Sequence, residues 1–259
     1  KDAIAVSKIA KRLAPHVPVV WGGWHPSIYP EQCIREGYAD YCVFGQGEMT
    51  FLELLDALES NSGFDQILGL AYLKNNQFNQ NPERTFIDIN NFPAYDYSLI
   101  PIETYFKFKG QRQIDFYSSQ GCPYRCAFCA DPYVYSRRWS GLKGSRMLFD
   151  VFDAVRKYHA TDVLFQDENF FANKNRVIEF CKGIDQHKMT FTWAATSRAD
   201  HIAPLDDDLL KIIVQANLRK VIIGAESGSQ EMLDLMKKDT LAEESIISAE
   251  KLSRHGIGA

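Results

Sequence analysis

The chain has 259 residues, of which 46% are hydrophobic and 24% are charged, a composition typical of a globular protein with enough apolar residues for a core. The formal net charge of -4 argues against the basic surface that binds nucleic acid. No apolar run approaches the roughly 20 residues that a membrane-spanning helix needs. Three cysteines, Cys33, Cys42 and Cys181, are scattered among apolar neighbours. This is not the pattern of a secreted disulfide framework, so we expect a reducing, cytoplasmic location.

The first 65 residues alternate between strand and helix patterns. We predict helices over 3–13, 30–36 and 49–59 and buried strands over 17–21 and 39–44. The strands end in glycine turns, Gly22-Gly23 and Gly45-Gln46-Gly47. Such alternation indicates an open, doubly wound α/β sheet.

The pattern changes between residues 66 and 112. Residues 68–78 predict a hairpin around Asn75-Asn76, and the prolines within 82–112 indicate a connector between two domains. We therefore predict a first domain over 1–65, a hairpin and connector over 66–112, and a second domain over 113–259.

Strand and helix patterns alternate again from residue 113 onward. The predicted strands are 113–118, 162–166, 190–195 and 220–224, and the predicted helices are 147–159, 173–186, 206–216, 229–237 and 242–255. Four such units correspond to about half of a (β/α) barrel, whose chemistry lies at the carboxyl ends of its strands. Because the chain opens inside a helix pattern and closes at the start of a strand, we expect it to be an internal fragment of a longer protein.

Three cysteines lie in one short loop that follows the first strand of this second domain. Cys122, Cys126 and Cys129 have the spacing C-x₃-C-x₂-C. A [4Fe–4S] cluster held by three cysteines leaves one iron free to bind another ligand. A structural zinc site would need a fourth ligand from elsewhere, such as Cys181 or a histidine, so a non-catalytic zinc or iron–sulfur scaffold is the alternative.

This cysteine loop, with Phe128 before its last cysteine, resembles the signature of the radical S-adenosylmethionine (radical SAM) enzymes. The resemblance implies that Cys122, Cys126 and Cys129 hold a [4Fe–4S] cluster whose open iron binds S-adenosylmethionine. In that family, an electron from the cluster cleaves the cofactor to give a 5′-deoxyadenosyl radical. The resemblance also places Phe128 near the adenine, and core packing is the alternative role for this side chain.

Polar residues that follow the later strands match other elements of the family. The resemblance implies that Asp167, Glu168 and Asn169 contact the amino group of S-adenosylmethionine, with a helix N-cap by Asp167 or Asn169 as the alternative. It implies that Arg198 binds the methionine carboxylate, with a surface ion pair to Asp200 as the alternative. Glu226 and Ser227 belong to a segment that resembles the G-x-E-S-G-S element bordering the cofactor.

The glycine turns of the first domain resemble the later part of a cobalamin-binding domain. The resemblance implies that Gly22, Gly23, Gly45 and Gly47 let the backbone approach the nucleotide tail of cobalamin. The upstream elements of such a domain, including its cobalt-binding histidine, are not in this sequence. We expect His25 to be a polar loop residue rather than a cobalt ligand.

The resemblance as a whole is to cobalamin-dependent radical SAM enzymes. It implies an oxygen-sensitive enzyme that acts on a small-molecule substrate and receives electrons from a donor such as flavodoxin or ferredoxin. Methyl transfer to an unactivated carbon is the expected reaction, and oxidative ring closure of the magnesium-protoporphyrin ester cyclase type is the alternative. Methylthio transfer to tRNA is disfavoured, because Cys33 and Cys42 lack the spacing for a second cluster and the net charge offers no RNA surface.

Overall fold

The computed structural model describes residues 2–259, so residue 1 of the predicted first domain lies outside the described part. The helices are α1 (Asp2–Leu13), α2 (Trp24–Ile28), α3 (Pro30–Arg35), α4 (Glu48–Ser60), α5 (Ile102–Lys109), α6 (Asp131–Val134), α7 (Gly144–Tyr158), α8 (Lys174–Gln186), α9 (Ala199–Ile202), α10 (Asp207–Gln215), α11 (Gln230–Leu235) and α12 (Ala242–Arg254). The strands are β1 (Val20–Trp21), β2 (Tyr41–Val43), β3 (Leu70–Lys74), β4 (Gln77–Gln80), β5 (Gln113–Phe116), β6 (Ser119–Gly121), β7 (Trp139–Gly141), β8 (Asp162–Phe165), β9 (Thr192–Arg198) and β10 (Leu218–Gly224).

The chain forms two compact units. The first contains the described part of residues 1–87 together with 129–138, and the second contains 88–128 and 139–259. The hairpin β3–β4 belongs to the first unit, because β3 pairs with β2 and extends the first sheet. The structure thus joins the hairpin to the first domain, whereas the sequence pattern had grouped it with the connector.

The first unit is built on a sheet of order β1-β2-β3-β4, with β1 and β2 parallel and the remaining pairs antiparallel. Successive strand residues point to opposite faces, so Cys42 packs with Cys33 and Ile34 of α3. Val43 packs on the other face with Leu54 of α4. Helices therefore cover both faces, as the doubly wound prediction requires.

The second unit is built on a parallel sheet in which the strands follow chain order, β5-β8-β9-β10. Each strand is followed by one or more helices, which is the predicted repeating unit of a partial barrel. Phe165, Phe180 and Trp193 are fully buried between this sheet and its helices. Beyond β10, Gly258 forms a parallel bridge with Lys220.

Several elements differ from those that the sequence pattern predicted. Helix α5 lies in the predicted connector, where Pro101 at its N-cap had suggested a break. Helix α2 contains Pro26 in its first turn. Backbone N–H groups in the first turn have no intrahelical acceptor, so a proline there, which lacks an N–H, removes no hydrogen bond of the helix. His25 is therefore on a helix rather than in a loop. Strand β9 extends to Arg198, three residues beyond the predicted strand 190–195.

Among residues 2–259, the structure has no helix that is both long enough and apolar enough to cross a lipid bilayer.

Candidate functional site

The cysteine loop begins after β6 and not directly after the first strand of the parallel sheet, as the sequence had suggested. The chain leaves β5 at Phe116, and β6 then pairs with β7 in a separate antiparallel ribbon. Gly121, the last residue of β6, has a φ of +78°, a conformation that glycine adopts without strain. This turn directs the chain into Cys122. The Cys126 side chain is buried, and Cys122 is partly exposed.

The part of the loop that lies in the second unit is held by the segment after α11. The backbone N–H of Ala127 donates to the carbonyl of Met236 over 2.8 Å. The guanidinium of Arg125 donates two hydrogen bonds, of 2.8 and 2.9 Å, to the carboxylate of Asp239. Residues more than a hundred positions apart in the chain therefore fix the conformation of the cysteine loop.

Arg198 lies at the end of β9 and points its guanidinium at the cysteine loop. Its Nη1 is 3.6 Å from Sγ of Cys126, and its carbon Cζ lies 3.6 Å from the centre of the Tyr124 ring. On its other edge it donates to Asp200 from Nε over 2.9 Å and from Nη2 over 3.1 Å. The pair with Asp200 is the alternative considered from sequence, but Arg198 is only 5% exposed, so it is no surface ion pair.

The charge of Arg198 is retained despite this burial. Burial disfavours the charged guanidinium, but the carboxylate of Asp200 and the neighbouring Tyr124 and Cys126 outweigh that effect, so the pKa of Arg198 is raised. Asp200 occupies the Nε–Nη2 edge of the guanidinium, and Nη2 also donates to the Lys238 carbonyl. Nη1 carries two N–H groups, of which one is directed at Cys126.

Asp167, which follows β8, is buried and fully engaged by the chain itself. Its carboxylate accepts hydrogen bonds from the Ser118 N–H and hydroxyl, at 2.7 and 2.6 Å, and from the Ser119 hydroxyl at 2.6 Å. It also forms a buried ion pair with Arg176 at 3.1 Å. Asp167 is not a helix N-cap, because Asn173 caps α8. The side chain ties the end of β8 to the approach to the cysteine loop.

Asn169 is completely buried and is turned toward His201. Its Nδ2 lies 3.4 Å from Nε2 of His201, the nitrogen that also contacts the Tyr124 hydroxyl. Because His201 Nδ1 donates to the Phe171 carbonyl at 3.0 Å, we assign the proton to Nδ1 and the acceptor role to Nε2. Within residues 2–259, Oδ1 of Asn169 is buried without a hydrogen-bond partner. A buried polar atom of this kind is available to a ligand that brings a donor.

The segment after β10 brings together three other residues of the site. Glu226, at a φ of +61°, pairs with the buried Nζ of Lys238 at 3.1 Å. Lys238 Nζ also lies 5.8 Å from the ring centre of Phe128. A Cβ at Gly224 would lie 2.8 Å from the Glu226 carboxylate, so a side chain there would displace the end of the Glu226 side chain. Ser227 accepts a hydrogen bond from the Ser229 N–H, so its hydroxyl orders the turn into α11.

Phe128 is 54% exposed, which excludes the core-packing role considered as its alternative.

The three loop cysteines have the chemistry of a metal site. In the part of the chain that the structure describes, no group of three or more His, Cys, Asp or Glu side chains is arranged to hold a metal ion. None of the three loop cysteines forms a disulfide, and all three lie on one short segment. Three thiols in this spacing are a donor set that fits an iron–sulfur cluster.

The last cysteine of the loop, Cys129, belongs to the first unit. Its thiol and the Trp24 indole both hydrogen-bond to the carboxyl group of Asp131, whose pKa is raised by burial and only partly lowered by these two bonds.

The four predicted cobalamin-binding glycines lie in two turns that follow β1 and β2. Gly23 and Gly45 have φ values of +92° and +71°, which disfavour any residue with a side chain. The hydroxyl of Ser27 connects the turns, since it donates to the Gly23 carbonyl at 2.6 Å and accepts from the Gly45 N–H at 3.0 Å. Gly47 packs against Val43 so closely that a Cβ would lie 2.9 Å from Cγ1 of that residue.

A cavity of about 810 Å³ opens beside these turns, lined in part by Trp21, Gly22, Trp24, His25 and Tyr38. Aromatic walls with a glycine backbone at one side fit a large, partly apolar ligand. The residues present are therefore compatible with a cobalamin tail, with Gly22 at the cavity wall.

Sequence reasoning missed several residues that the structure places at these sites. They are Ser27, Tyr124, Arg176, His201 and Lys238. Tyr124 had a visible signal, an aromatic residue inside the cysteine loop. The others are ordinary polar residues that belong to no recognisable motif, and their partners lie between 4 and 77 positions away in the chain.

Comparisons with known proteins agree with these features. Residues 1–55 match the B12 binding domain, and residues 116–259 match the Radical SAM superfamily. An uncharacterised methyltransferase of Pyrococcus horikoshii is 32% identical over 263 residues, covering 100% of this chain and 56% of that protein. The anaerobic magnesium-protoporphyrin IX monomethyl ester cyclase of Synechocystis is 23% identical over 94% of this chain and 48% of its own length. The chain thus spans about half the length of these relatives.

The fold also matches a solved structure. The cobalamin-dependent S-adenosylmethionine radical enzyme OxsB, with aqua-cobalamin and S-adenosylmethionine bound, aligns with a TM-score of 0.82 and 22% identity over 98% of this chain and 38% of that one. This likeness confirms the predicted fold class. The match over residues 116–259 shows that the chain belongs to the Radical SAM superfamily, and the B12 binding domain matched by residues 1–55 precedes it in the predicted order.

Proposed function

We propose that the protein transfers a methyl group to an unactivated carbon of a small molecule, with a [4Fe–4S] cluster, S-adenosylmethionine and cobalamin as cofactors. The observation that carries this proposal is the placement of the cysteine loop. In the second unit, Arg198 at the end of β9 and the Glu226–Lys238 pair after β10 both contact the part of the loop that contains Cys126 and Phe128. The carboxyl ends of parallel strands are where enzymes of this architecture carry their chemistry.

The cluster would be held by Cys122, Cys126 and Cys129. When bound, it supplies the electron that cleaves S-adenosylmethionine and so generates a carbon-centred radical. The chain's own contribution is to hold the loop, through Met236 and Asp239, and to bury Cys126 away from water.

S-adenosylmethionine would be bound by residues that meet around this loop. We propose that Phe128 packs on the adenine, since its ring is exposed, and that Asn169 and Glu168 receive the amino group, since Oδ1 of Asn169 is a buried acceptor. The free N–H of Arg198 would contact the carboxylate. Asp167 would act through Ser118 and Arg176 rather than by touching the cofactor.

Glu226 and Ser227 would shape the remaining wall of the S-adenosylmethionine site. Glu226 is held by Lys238, and Ser227 orders the turn that enters α11. These roles follow from the position of the turn after β10, at the same edge of the sheet as the cysteine loop.

The tail of cobalamin would lie against Gly22 and Gly23 and the turn of Gly45 and Gly47. The positive φ angles of Gly23 and Gly45 and the adjoining cavity support this placement. We further propose a cytoplasmic location, a flavodoxin or ferredoxin as electron donor, and no nucleic-acid partner. The divisions of the chain near residues 65 and 112 remain predictions.

Oxidative ring closure is the second candidate reaction. The similarity to the magnesium-protoporphyrin ester cyclase over 94% of this chain favours it. S-adenosylmethionine with a deuterated methyl group separates the two reactions when the protein is incubated with a small-molecule extract. A product that gains the labelled methyl group supports methyl transfer, whereas a product that loses hydrogen and gains no label supports ring closure.

The cluster and its ligands are tested by anaerobic reconstitution with iron and sulfide. We expect about four irons and four sulfides per chain and reductive cleavage of S-adenosylmethionine to 5′-deoxyadenosine. The Cys126→Ala variant should lose the cluster. Cys181→Ala is the matched control, because Cys181 is a fully buried free thiol of the core, and it should keep the cluster. A single zinc per chain, or a full cluster in Cys126→Ala, would contradict the assignment.

A further inference from the structure

We propose that Arg198 raises the reduction potential of the cluster, because its guanidinium places a positive charge and an N–H donor against the sulfur of Cys126. This inference rests on the proposed function, since it requires a cluster on the cysteine loop. It assigns Arg198 a positioning and electrostatic role on the cysteine side of the site, separate from any contact with S-adenosylmethionine.

The geometry of Arg198 is fixed from three directions. The Tyr124 ring lies against one face of the guanidinium, at 3.6 Å from Cζ to the ring centre. Asp200 holds the Nε edge, and the Lys238 carbonyl accepts from Nη2 over 2.7 Å. With these groups in place, Nη1 points at Cys126 Sγ over 3.6 Å. The donor is therefore oriented before any cluster binds.

Burial makes this contact electrostatically effective. The Arg198 side chain is 6% exposed, and Cys126 is buried, so little water screens the charge from the sulfur. Hydrogen bonds to the sulfur ligands and nearby charge are among the factors that set the potential of an iron–sulfur cluster. On one-electron reduction by an external reductant, the cluster gains a negative charge while its ligands stay bound. A fixed positive charge stabilises that reduced form.

Asp200 has the opposite effect. Its carboxylate compensates the guanidinium from the edge remote from Cys126. Removing the negative charge of Asp200 should leave more positive potential at the sulfur. The two partners of one ion pair should thus shift the cluster in opposite directions, a result that general loosening of the site would not give.

The test is a redox titration of the reconstituted protein, followed by the electron paramagnetic resonance signal of the reduced cluster, without S-adenosylmethionine. At a potential equal to the wild-type midpoint, Arg198→Gln should show about a tenfold lower ratio of reduced to oxidised cluster. This corresponds to a midpoint potential ~59 mV more negative than that of wild type for a one-electron couple. Asp200→Asn should show a higher ratio than wild type. Arg198→Lys keeps the charge and should shift less than Arg198→Gln.

Lys211→Gln is the control for loss of a positive charge. Lys211 lies on α10 of the same unit, its side chain is 63% exposed and it pairs with the exposed Asp208. Its loss should change the ratio by less than about twofold, because exposed charges are screened.

Each outcome decides the inference. An unchanged ratio in Arg198→Gln with a full cluster overturns it and leaves the proposed function standing. If Arg198→Gln fails to hold a cluster, Asp200→Asn decides, and an unchanged or lower ratio in that variant overturns the inference. A wild-type protein that assembles no [4Fe–4S] cluster would remove the proposed function and this inference together.

Discussion

The buried pair of Asp167 and Arg176 offers the sharpest test of how the second unit is held together. Asp167 accepts three hydrogen bonds from Ser118 and Ser119 and one from Arg176. Both charged side chains are nearly inaccessible, at 0% for Asp167 and 5% for Arg176. Burial lowers the pKa of Arg176, and the Asp167 carboxylate opposes this effect. Removing Asp167 should therefore leave an uncompensated buried cation.

The expected cost follows from that environment. Breaking a buried ion pair by removing one partner typically costs about 3–5 kcal/mol, because the other charge stays desolvated. We expect Asp167→Ala to lower the free energy of unfolding by about that amount. Arg176 keeps hydrogen bonds to the carbonyls of Ser118 and Phe170, but neutral acceptors do not replace a carboxylate.

A double-mutant cycle isolates this effect from the loss of packing. Urea denaturation of the metal-free protein, followed by circular dichroism and tryptophan fluorescence, measures the free energy of unfolding. Asp167→Ala combined with Arg176→Met should cost less than the sum of the two single changes, by about 1–3 kcal/mol. Asp208→Ala is the control, since its pair with Lys211 is exposed and should contribute less than ~0.5 kcal/mol. A cost below 1 kcal/mol for Asp167→Ala, or strict additivity, would refute the reasoning.

Two other predictions concern different parts of the chain. Ser27→Ala should lower the free energy of unfolding by about 1 kcal/mol and weaken the binding of hydroxocobalamin measured by calorimetry, because the hydroxyl joins the turns of Gly23 and Gly45. Ser27→Thr keeps the hydroxyl and should bind hydroxocobalamin more tightly than Ser27→Ala. Equal affinities of the two variants would count against this role of Ser27. Asp162 is buried, and burial acts to raise its pKa. Hydrogen bonds from Arg219, Gln113 and Thr192 outweigh burial, so the pKa is lowered. The ionised Asp162 carboxylate stabilises the folded protein fully at pH values above its unfolded pKa of about 3.9, and this stabilisation is lost as the pH falls through the folded pKa. In Asp162→Asn, the free energy of unfolding should therefore fall less steeply with decreasing pH than in wild type. Parallel acid limbs in the two proteins would contradict this assignment.

The predicted elements that the structure confirms are those with a strong local signal. The long amphipathic helices α4, α7 and α8 and the parallel strands of the second unit lie close to their predicted ranges. Their hydrophobic periodicity is a property of neighbouring residues, so it can be read without knowledge of the fold. The elements missed are short and locally ambiguous. Helix α5 follows a proline, and β6 and β7 have only three residues each.

In the candidate site, too, the features that depend on neighbouring residues could be predicted from the sequence, and the contacts of individual side chains could not. The cysteine spacing and the two glycine turns identified the family, because these features depend on a few residues that are close in sequence. The partners of individual residues could not be predicted in this way. For Arg198, the sequence offered a cofactor carboxylate or Asp200 as partners, and the structure shows the pair with Asp200. The contact of its Nη1 with Cys126, 72 residues away, was not predicted.

The sequence alone determined the class of this protein, since metal-ligand spacing, glycine turns and strand–helix alternation are local patterns with direct chemical meaning. Only the tertiary structure decided which polar groups satisfy one another. In the structure, Asp167 binds Ser118 and Arg176, and Glu226 pairs with Lys238. Ser27 forms hydrogen bonds to two separate turns. Buried donors and acceptors need partners, and the fold decides which groups are near enough to serve. Some of these partners are 9 or 12 residues apart and others are 49 apart, and in neither case does the hydrophobic pattern or the motif spacing specify the contact.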